Sequence, residues 1–319
     1  MKRREWEKEG KKMKGLFIIN PSSGRQNFKE NLNQIAGKLI MDKVVPTIDV
    51  FYTKKKDDAK NRVALLTEGE YDFVVSVGGD GTLNEVVNGL ILSGSNIPLA
   101  IISSGTVNDF ATYLNLPGAA SVDRFCQMIA DFNTKEVDAG MINDEYFINV
   151  IAGGILTDIA YKVPKDRKAI FGKMAYYLEG ALELPKQFFG DLMHLEFEID
   201  GETRQEEVTV FIVANSRSVG GFKDAIPLAS VSDGKLDILI LKKVEFYQVS
   251  NLLFKFLQGE HPQHPSIEYI QADEIKIREL GEKTDISIDY DGELLEGGLP
   301  VDIKVIPKAL RIIIPKEEK

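Results

Sequence analysis

The chain has 319 residues, of which 44% are hydrophobic, and its formal net charge at pH 7 is −10. That length allows one large domain or two ordinary ones, each with its own core. The acidic balance argues against a nucleic-acid partner, because neutralising phosphates requires a basic surface. The single cysteine, Cys126, excludes an intrachain disulfide and fits the reducing environment of a cytoplasmic protein.

No stretch of the sequence reaches the roughly 20 consecutive apolar residues of a membrane-spanning helix. Residues 1–13 form a basic N-terminal extension that lacks the apolar segment of a secretory signal. We interpret it as a solvated extension, and a weak attraction to anionic lipid is the alternative.

In the first half of the sequence, short apolar runs alternate with helical patterns. Strands are predicted at 15–20, 47–53, 73–77 and 97–103, and helices at 28–42, 58–69 and 83–92. This alternation predicts an α/β domain with a doubly wound, mostly parallel sheet that helices cover on both faces. We place this domain at residues 14–134.

Beyond about residue 135 the pattern changes to short runs of alternating hydrophobicity. These runs read EVDAGMI, EYFINVI, MHLEFEIDG, EVTVFIVAN, LDILILK, EIKIREL, DISIDYDGE and VDIKVIP. Helical patterns are sparse there, chiefly at 169–189 and 245–258. The pattern predicts an antiparallel β-sandwich domain over residues 135–308. The last run, ALRIIIP, fits either domain, so residues 309–319 are a candidate for a return to the first one.

Three polar turns with glycines follow predicted parallel strands: NPSSG at 20–24, VGGDGT at 77–82 and SSGTVND at 103–109. The carboxyl ends of parallel strands form one edge of a sheet, where doubly wound folds bind their ligands. Glycines let backbone N–H groups approach an anion, and a helix N-terminus adds partial positive charge. We therefore expect a phosphate-binding site at this edge.

Asp80, within the second of these turns, complicates a phosphate site because its carboxylate repels phosphate. The repulsion becomes useful if a divalent cation bridges the two groups, or if Asp80 accepts a proton from an attacking hydroxyl. The alternative is a structural turn in which Asp80 caps the following helix. The sequence has neither GxxxxGK[ST] nor GxGxxG, so a Walker-type or dinucleotide-binding site is not predicted.

Four motifs carry a family resemblance: NPSSG at 20–24, GGDGTLNEVVNG at 78–89, SGTVNDFA at 104–111 and DYDGE at 289–293. In this order and spacing the chain resembles the bacterial diacylglycerol kinases of the lipid kinase catalytic-domain family, which are related to the sphingosine kinases. The resemblance implies an NAD kinase/diacylglycerol kinase-like fold. It implies a two-domain enzyme at a membrane surface that uses ATP and Mg²⁺ to phosphorylate a lipid hydroxyl, with diacylglycerol the first candidate.

The resemblance also implies which residues bind ATP. These are Asn20, Pro21, Ser22, Ser23, Gly24, Thr53, Gly78, Gly79, Asp80, Gly81, Thr82, Leu83, Asn84 and Thr106. The lipid would enter between the two domains. The apolar segment 169–189 is either a lipid contact or ordinary core.

The same resemblance assigns acidic residues. Glu293 matches the family's general base, with Asp80 and Asp109 as further catalytic carboxylates. Asp138, together with those two aspartates, matches a metal–water network around the phosphates. A separate structural magnesium site would take the side chain of Asp233 and the backbone carbonyls of Ser230 and Lys235. Ser232 stands where the family often has an acidic residue, which sets this site apart from the family pattern.

Two other functions remain open from the sequence. A soluble-metabolite kinase of the NAD kinase type shares a GGDG turn and an α/β-plus-β architecture. A non-catalytic nucleotide- or lipid-binding protein is the second alternative, and the presence of Asp80, Asp109 and Glu293 argues against it. Exposed strands of the sandwich domain would allow a homodimer paired edge to edge.

Overall fold

The computed structural model describes residues 13–23, 28–105, 107–154, 192–244, 248–281 and 286–316. Gly24, Thr106, most of the basic extension and the predicted helix at 169–189 lie outside these residues. The chain divides into two compact units. The first contains Met1–Asp138 and Lys308–Lys319, and the second contains Ala139–Pro307.

The first unit alternates strands and helices, as predicted. Its elements are β1 (Lys14–Ile19), α1 (Phe28–Met41), β2 (Thr47–Tyr52), α2 (Asp58–Ala64), β3 (Phe73–Gly78), α3 (Asp80–Ser93), β4 (Leu99–Ser103), α4 (Asp109–Tyr113) and α5 (Val122–Asp131). The strands pair in the order β2-β1-β3-β4, and every one of these pairs is parallel. The predicted doubly wound parallel sheet is confirmed.

Burial explains why these segments fold as they do. All six residues of β3 are buried, as expected for a central strand that is covered on both faces. Helix α1 buries Leu32, Ile35 and Leu39, which follow helical spacing and pack into a core with Phe17 and other strand residues.

Three details of the first unit differ from the sequence prediction. Helix α2 ends at Ala64 rather than near residue 69, because Thr67 and Glu70 hydrogen-bond to each other and form a turn. Helices α4 and α5 were not predicted. The buried residues Phe125, Met128 and Ile129 of α5 have helical spacing, so a signal was present. Cys126 is also buried, and this burial raises the pKa of its thiol to about 11.

The second unit is built from antiparallel strands. Its elements, with two strands shared with the first unit, are β5 (Thr134–Ile142), β6 (Glu145–Phe147), β7 (Val150–Gly154), β8 (Met193–Ile199), β9 (Glu202–Ala214), β10 (Leu236–Lys242), α6 (Val249–Gln258), a 3₁₀ turn (His261–Gln263), β11 (Ile267–Ala272), β12 (Glu274–Glu279), β13 (Ile288–Tyr290), β14 (Glu293–Leu294) and β15 (Val301–Ile313). The main path is β14-β13-β7-β9-β8-β12-β15, and β10 lies beside β9 and β11. Buried Ile, Leu, Val and Phe side chains from these strands form its core.

Strand β15 joins two runs that the sequence predicted as separate. Pro307 ends the first run, and proline usually interrupts a strand because it cannot donate to the ladder. Here Lys308 takes a positive φ of 53°, and its N–H donates to Asp138 Oδ1 at 2.7 Å. Farther along, Ile312 pairs in parallel with Leu99 of β4. Strand β11 was not predicted either.

None of the helices in the part of the chain that the structure describes is long and apolar enough to cross a membrane.

Candidate active site

Three turns lie side by side at the carboxyl edge of the parallel sheet. We call residues 20–23 the first turn, residues 78–82 the second, and residues 103–105 with 107–109 the third. In the sheet register, Ile19 pairs with Val77, and Gly78 pairs with Ser103. Turns that leave paired ends of neighbouring parallel strands necessarily start next to each other, as the sequence predicted.

Hydrogen bonds join the first turn to the second. The Asn20 N–H donates to Val77 O at 3.0 Å, and Asn20 Nδ2 donates to Thr82 Oγ1 at 3.1 Å. Within the first turn, Asn20 Oδ1 accepts the Ser22 N–H at 3.0 Å, and Ser23 Oγ donates to Asn20 O at 2.9 Å. Asn20 therefore organises the turn, while Pro21 and Ser22 are exposed.

The second and third turns touch through glycine backbones. A Cβ atom on Gly105 would lie 2.8 Å from Gly79 Cα, and a Cβ on Gly79 would lie 3.3 Å from Gly105 Cα. Asp80 Oδ2 also accepts the Asn108 N–H at 3.0 Å. These two glycines are therefore needed for the close approach of the two turns.

Asn108 closes the third turn on itself. Its Oδ1 accepts the Gly105 N–H at 3.0 Å, and its Nδ2 donates to Gly105 O at 2.8 Å. Asn108 adopts a left-handed conformation with φ of 54°, which asparagine tolerates better than most residues. The sequence prediction did not assign this residue a role.

Helix α3 begins in the second turn. Gly79 is the N-cap, so Asp80 is the first helical residue and not the cap. The Leu83 N–H donates to Gly79 O at 3.0 Å, so the amides of residues 80–82 precede the first helical hydrogen bond. Such amides form an anion-binding site. Leu83 itself is only 4% exposed, and Asn84 is buried too.

Glu85 was missed as a contributor to this edge of the sheet. Its carboxylate accepts the N–H groups of Asp57 and Ala59, both at 3.0 Å, and so caps helix α2. Thr53, at the end of β2, is buried, and its N–H donates to Ile19 O at 2.9 Å. The segment that follows β2 is thereby held to the same edge.

The acidic residues fit a magnesium ion bound together with phosphates. Asp80 and Asp109 begin helices α3 and α4, and Asp109 is 7% exposed. Mg²⁺ is commonly held by one or two carboxylates plus substrate phosphates. The described residues contain no group of three or more His, Cys, Asp or Glu placed to hold a metal. Asp138 is 1% exposed, and it accepts the Lys308 N–H.

The remaining assigned residues lie in the second unit. Glu293 opens β14 after a two-residue turn and is half-buried. Asp233 is exposed, and its Oδ1 accepts the Lys235 N–H at 3.2 Å. Lys235 Nζ forms an ion pair with Asp273 at 2.5 Å, and Ser230 is half-buried. One carboxylate with backbone carbonyls is a chemically suitable, though sparse, oxygen set for Mg²⁺.

Two family models match the chain. Residues 14–142 match the diacylglycerol kinase catalytic domain, and residues 150–314 match the YegS C-terminal NAD kinase beta sandwich-like domain. The predicted fold class, a parallel α/β domain with a β-sandwich domain, is confirmed.

Curated relatives and solved structures agree with these matches. A diacylglycerol kinase from Staphylococcus epidermidis is 35% identical over 94% of this chain and 92% of that protein. One from Bacillus subtilis is 34% identical over 95% and 96%. The crystal structure of a diacylglycerol kinase from Bacillus anthracis superposes with a TM-score of 0.74 at 27% identity, covering 94% and 96% of the two chains. Yeast NADH kinase superposes with a TM-score of 0.52 at 12% identity, covering 96% and 84%, which shows a shared fold alone.

The fold and its matches define a kinase with an α/β domain and a β-sandwich domain. The chain belongs to the diacylglycerol kinase family.

Proposed function

We propose that this protein transfers the γ-phosphate of ATP to the hydroxyl of a membrane lipid, with diacylglycerol as acceptor and phosphatidic acid as product. The observation that carries the proposal is the group of three hydrogen-bonded turns at one sheet edge, with the N-terminus of α3 among them. The names of relatives that are about one-third identical over nearly the whole chain support diacylglycerol as the acceptor.

The three turns bind the phosphates of ATP in this proposal. Backbone N–H groups at the start of α3 and the hydroxyls of Ser22 and Thr82 are suitable donors to phosphate oxygens, while Ser23 Oγ donates to Asn20 O and holds the first turn in shape. Asp80 and Asp109 hold Mg²⁺ against these phosphates, and the ion supplies neutralising charge for the transfer. Asp138 belongs to the surrounding network, and the loop with Ser230, Asp233 and Lys235 holds the structural ion.

Glu293 acts as the general base. Phosphoryl transfer needs little covalent help beyond positioning, charge neutralisation and a group that accepts the proton of the attacking hydroxyl. A half-buried carboxylate on a strand end suits this role, because its backbone is fixed by strand pairing with Tyr290. Because the acceptor is a lipid, the protein would work at a membrane surface.

A panel of acceptors tests the proposal. Radiolabelled ATP and Mg²⁺ are supplied with mixed micelles of diacylglycerol, a polyprenol, a sphingoid base or phosphatidylglycerol, and separately with soluble NAD. We expect label in phosphatidic acid and none in NADP. Label only in a water-soluble acceptor would overturn the lipid kinase proposal and support the NAD kinase-type alternative.

A matched pair of variants tests the phosphate-binding turns. Gly105→Ala places a methyl group 2.8 Å from the Gly79 backbone and should raise KM for ATP at least about tenfold, or 1.4 kcal/mol. Gly37→Ala, in helix α1 with open space around the new methyl group, should leave KM unchanged. Equal KM values for both variants would contradict this use of the turns.

A further inference from the structure

The turn that precedes Glu293 contains a second carboxylate, that of Asp291. Strands β13 and β14 pair through Tyr290 and Glu293, so only Asp291 and Gly292 form the turn. Both have positive φ, 50° and 90°, as a type I′ hairpin turn requires. This geometry fixes where the backbone of Glu293 starts.

The Asp291 carboxylate accepts three consecutive backbone N–H groups. Asp291 Oδ2 accepts from Ile148 at 2.7 Å, and Oδ1 accepts from Asn149 at 3.0 Å and from Val150 at 2.9 Å. The Asp291 N–H donates in return to Val150 O at 2.9 Å. Four hydrogen bonds therefore attach the turn to the segment that leads into β7.

This segment is itself held in place on its other side. Asn215 Nδ2 donates to Ile148 O, and the Asn215 N–H donates to Asn149 O, both at 2.9 Å. Asn149 Nδ2 donates to Ser218 O at 2.9 Å, and Asn149 Oδ1 accepts from Ser216 Oγ. The side chains of Asn149, Asn215, Ser216 and Ser218 are all buried. The turn is thus attached to a rigid part of the fold.

We propose that Asp291 is a positioning residue for Glu293, whose orientation it fixes by attaching the turn to residues 148–150. The proposal rests on the proposed function, because it takes Glu293 as the general base. Only a carboxylate accepts hydrogen bonds at both oxygens. Asparagine at this position would direct an NH₂ group at a backbone N–H.

A second hairpin in the same unit provides a matched control. Asp200 and Gly201 form the turn between β8 and β9, and Asp200 Oδ1 accepts the N–H groups of Asp273 at 3.1 Å and Glu274 at 3.2 Å. Asp200 is exposed, and neither it nor Glu202 has a role in the proposed reaction.

The first test compares Asp291→Asn with Asp200→Asn. A misplacement of about 1 Å in a catalytic group lowers the rate up to about 100-fold. We expect Asp291→Asn to lower kcat at least about tenfold with KM for ATP unchanged, and Asp200→Asn to leave both unchanged. Wild-type kcat in a folded Asp291→Asn protein would overturn the proposal. Should that variant not fold, Asp291→Ser, which removes both carboxylate oxygens without adding an NH₂ group, is compared with Asp200→Ser on the same terms.

The second test measures coupling to Glu293. If Asp291 acts through Glu293, adding Asp291→Asn to Glu293→Gln should change the residual kcat less than twofold. A further drop equal to that in the wild-type background would show that Asp291 acts independently of Glu293, and the proposal would be wrong. Wild-type turnover in Glu293→Gln alone would instead overturn the proposed base.

Hydrogen exchange gives a readout that does not depend on kinase activity. Asp291→Asn should speed exchange at the amides of residues 148–150, whereas Asp200→Asn, whose remaining side-chain oxygen can still accept both N–H groups, should leave exchange at residues 273 and 274 unchanged. Unchanged exchange at residues 148–150 in Asp291→Asn would refute the attachment itself, whatever the acceptor panel shows about the reaction.

Discussion

The chain contains two Asp-Gly-Glu hairpins with the same backbone design, at residues 200–202 and 291–293. In each, Asp and Gly have positive φ, 48° and 87° in the first and 50° and 90° in the second. In each, the Asp N–H donates to a strand carbonyl, at 3.1 Å and 2.9 Å. In each, the glutamate opens the next strand.

The surroundings of the two hairpins differ. Asp200 is exposed and uses one oxygen for two N–H groups, whereas Asp291 is half-buried and uses both oxygens for three. Glu202 is exposed and Glu293 is half-buried. The tripeptide thus specifies a turn, and the contacts around the turn distinguish the glutamate that we propose as the general base from the one that has no proposed role.

Among substitutions in the two turns themselves, those at the glycines should separate the hairpins most. Alanine at Gly292 meets open space but must adopt φ near 90°, so the turn will shift and carry Glu293 with it. We expect Gly292→Ala to lower kcat at least about tenfold. Gly201→Ala, with the same open space and a φ of 87°, should keep wild-type kcat. An equal loss in both variants would show that turn strain alone lowers activity.

The free energy of unfolding should change by a similar amount in the two glycine variants. Each alanine would be strained at a positive φ, and each should lower the free energy of unfolding by about 1–2 kcal/mol. Urea unfolding of Gly292→Ala and Gly201→Ala measures this directly. A much greater loss at Gly292 would mean that the activity change reports unfolding rather than the position of Glu293.

Asp237 is a buried carboxylate that lies outside both hairpins. Oδ1 accepts from Tyr269 Oη at 2.7 Å and Gln271 Nε2 at 3.0 Å, while Oδ2 has no partner among the residues the structure describes. Burial raises the pKa of Asp237, so the folded state binds its proton more tightly than the unfolded state. The stability from this group is present below its unfolded pKa and is lost as pH rises through the folded pKa.

Asp237→Asn removes this pH dependence. The difference in Tm, variant minus wild type, should therefore become more positive as the pH is raised from about 4 to about 7. Calorimetry at both pH values checks the difference. A constant Tm difference between the two proteins would contradict the assignment of a raised pKa to Asp237.

The smallest effect is expected in a third hairpin, between β5 and β6. Asn143 Oδ1 accepts the Asp302 N–H at 3.0 Å, and the Asn143 N–H donates to Asp302 O at 2.8 Å. The Asn143 side chain accepts this bond with its oxygen, and an aspartate would keep that acceptor. Asn143→Asp should therefore change the free energy of unfolding by less than about 0.5 kcal/mol. A larger loss would weaken the claim that asparagine fails at Asp291 because both oxygens are needed there.

The sequence predicted the sheet edge well because its signals are local. Apolar runs and glycines define β1, β3 and β4 and the turns that follow them, and parallel pairing then brings the turns together. The sequence also contains a local signal for the turn before Glu293, since Asp-Gly between strands is a hairpin signal.

The remaining contacts connect residues far apart in the chain, which no local pattern reveals. Asp291 accepts the N–H groups of residues 148–150, which precede it by 141 to 143 positions in the sequence. Glu85 caps helix α2 through residues that precede it by 26 and 28 positions. Pro307 misled the prediction of β15, because a side-chain acceptor on Asp138 takes the neighbouring Lys308 N–H in place of the ladder. Two Asp-Gly-Glu tripeptides could therefore be told apart only by the family likeness or by the structure.

The role of Glu293 as general base is tested by phosphate transfer to diacylglycerol by the wild type, Glu293→Gln and Glu202→Gln in one mixed-micelle assay with radiolabelled ATP. Loss of a general base lowers the rate at least about 100-fold. We expect labelled phosphatidic acid from the wild type and from Glu202→Gln, and at least about 100-fold less from Glu293→Gln. Equal labelling by Glu293→Gln and Glu202→Gln would contradict that role.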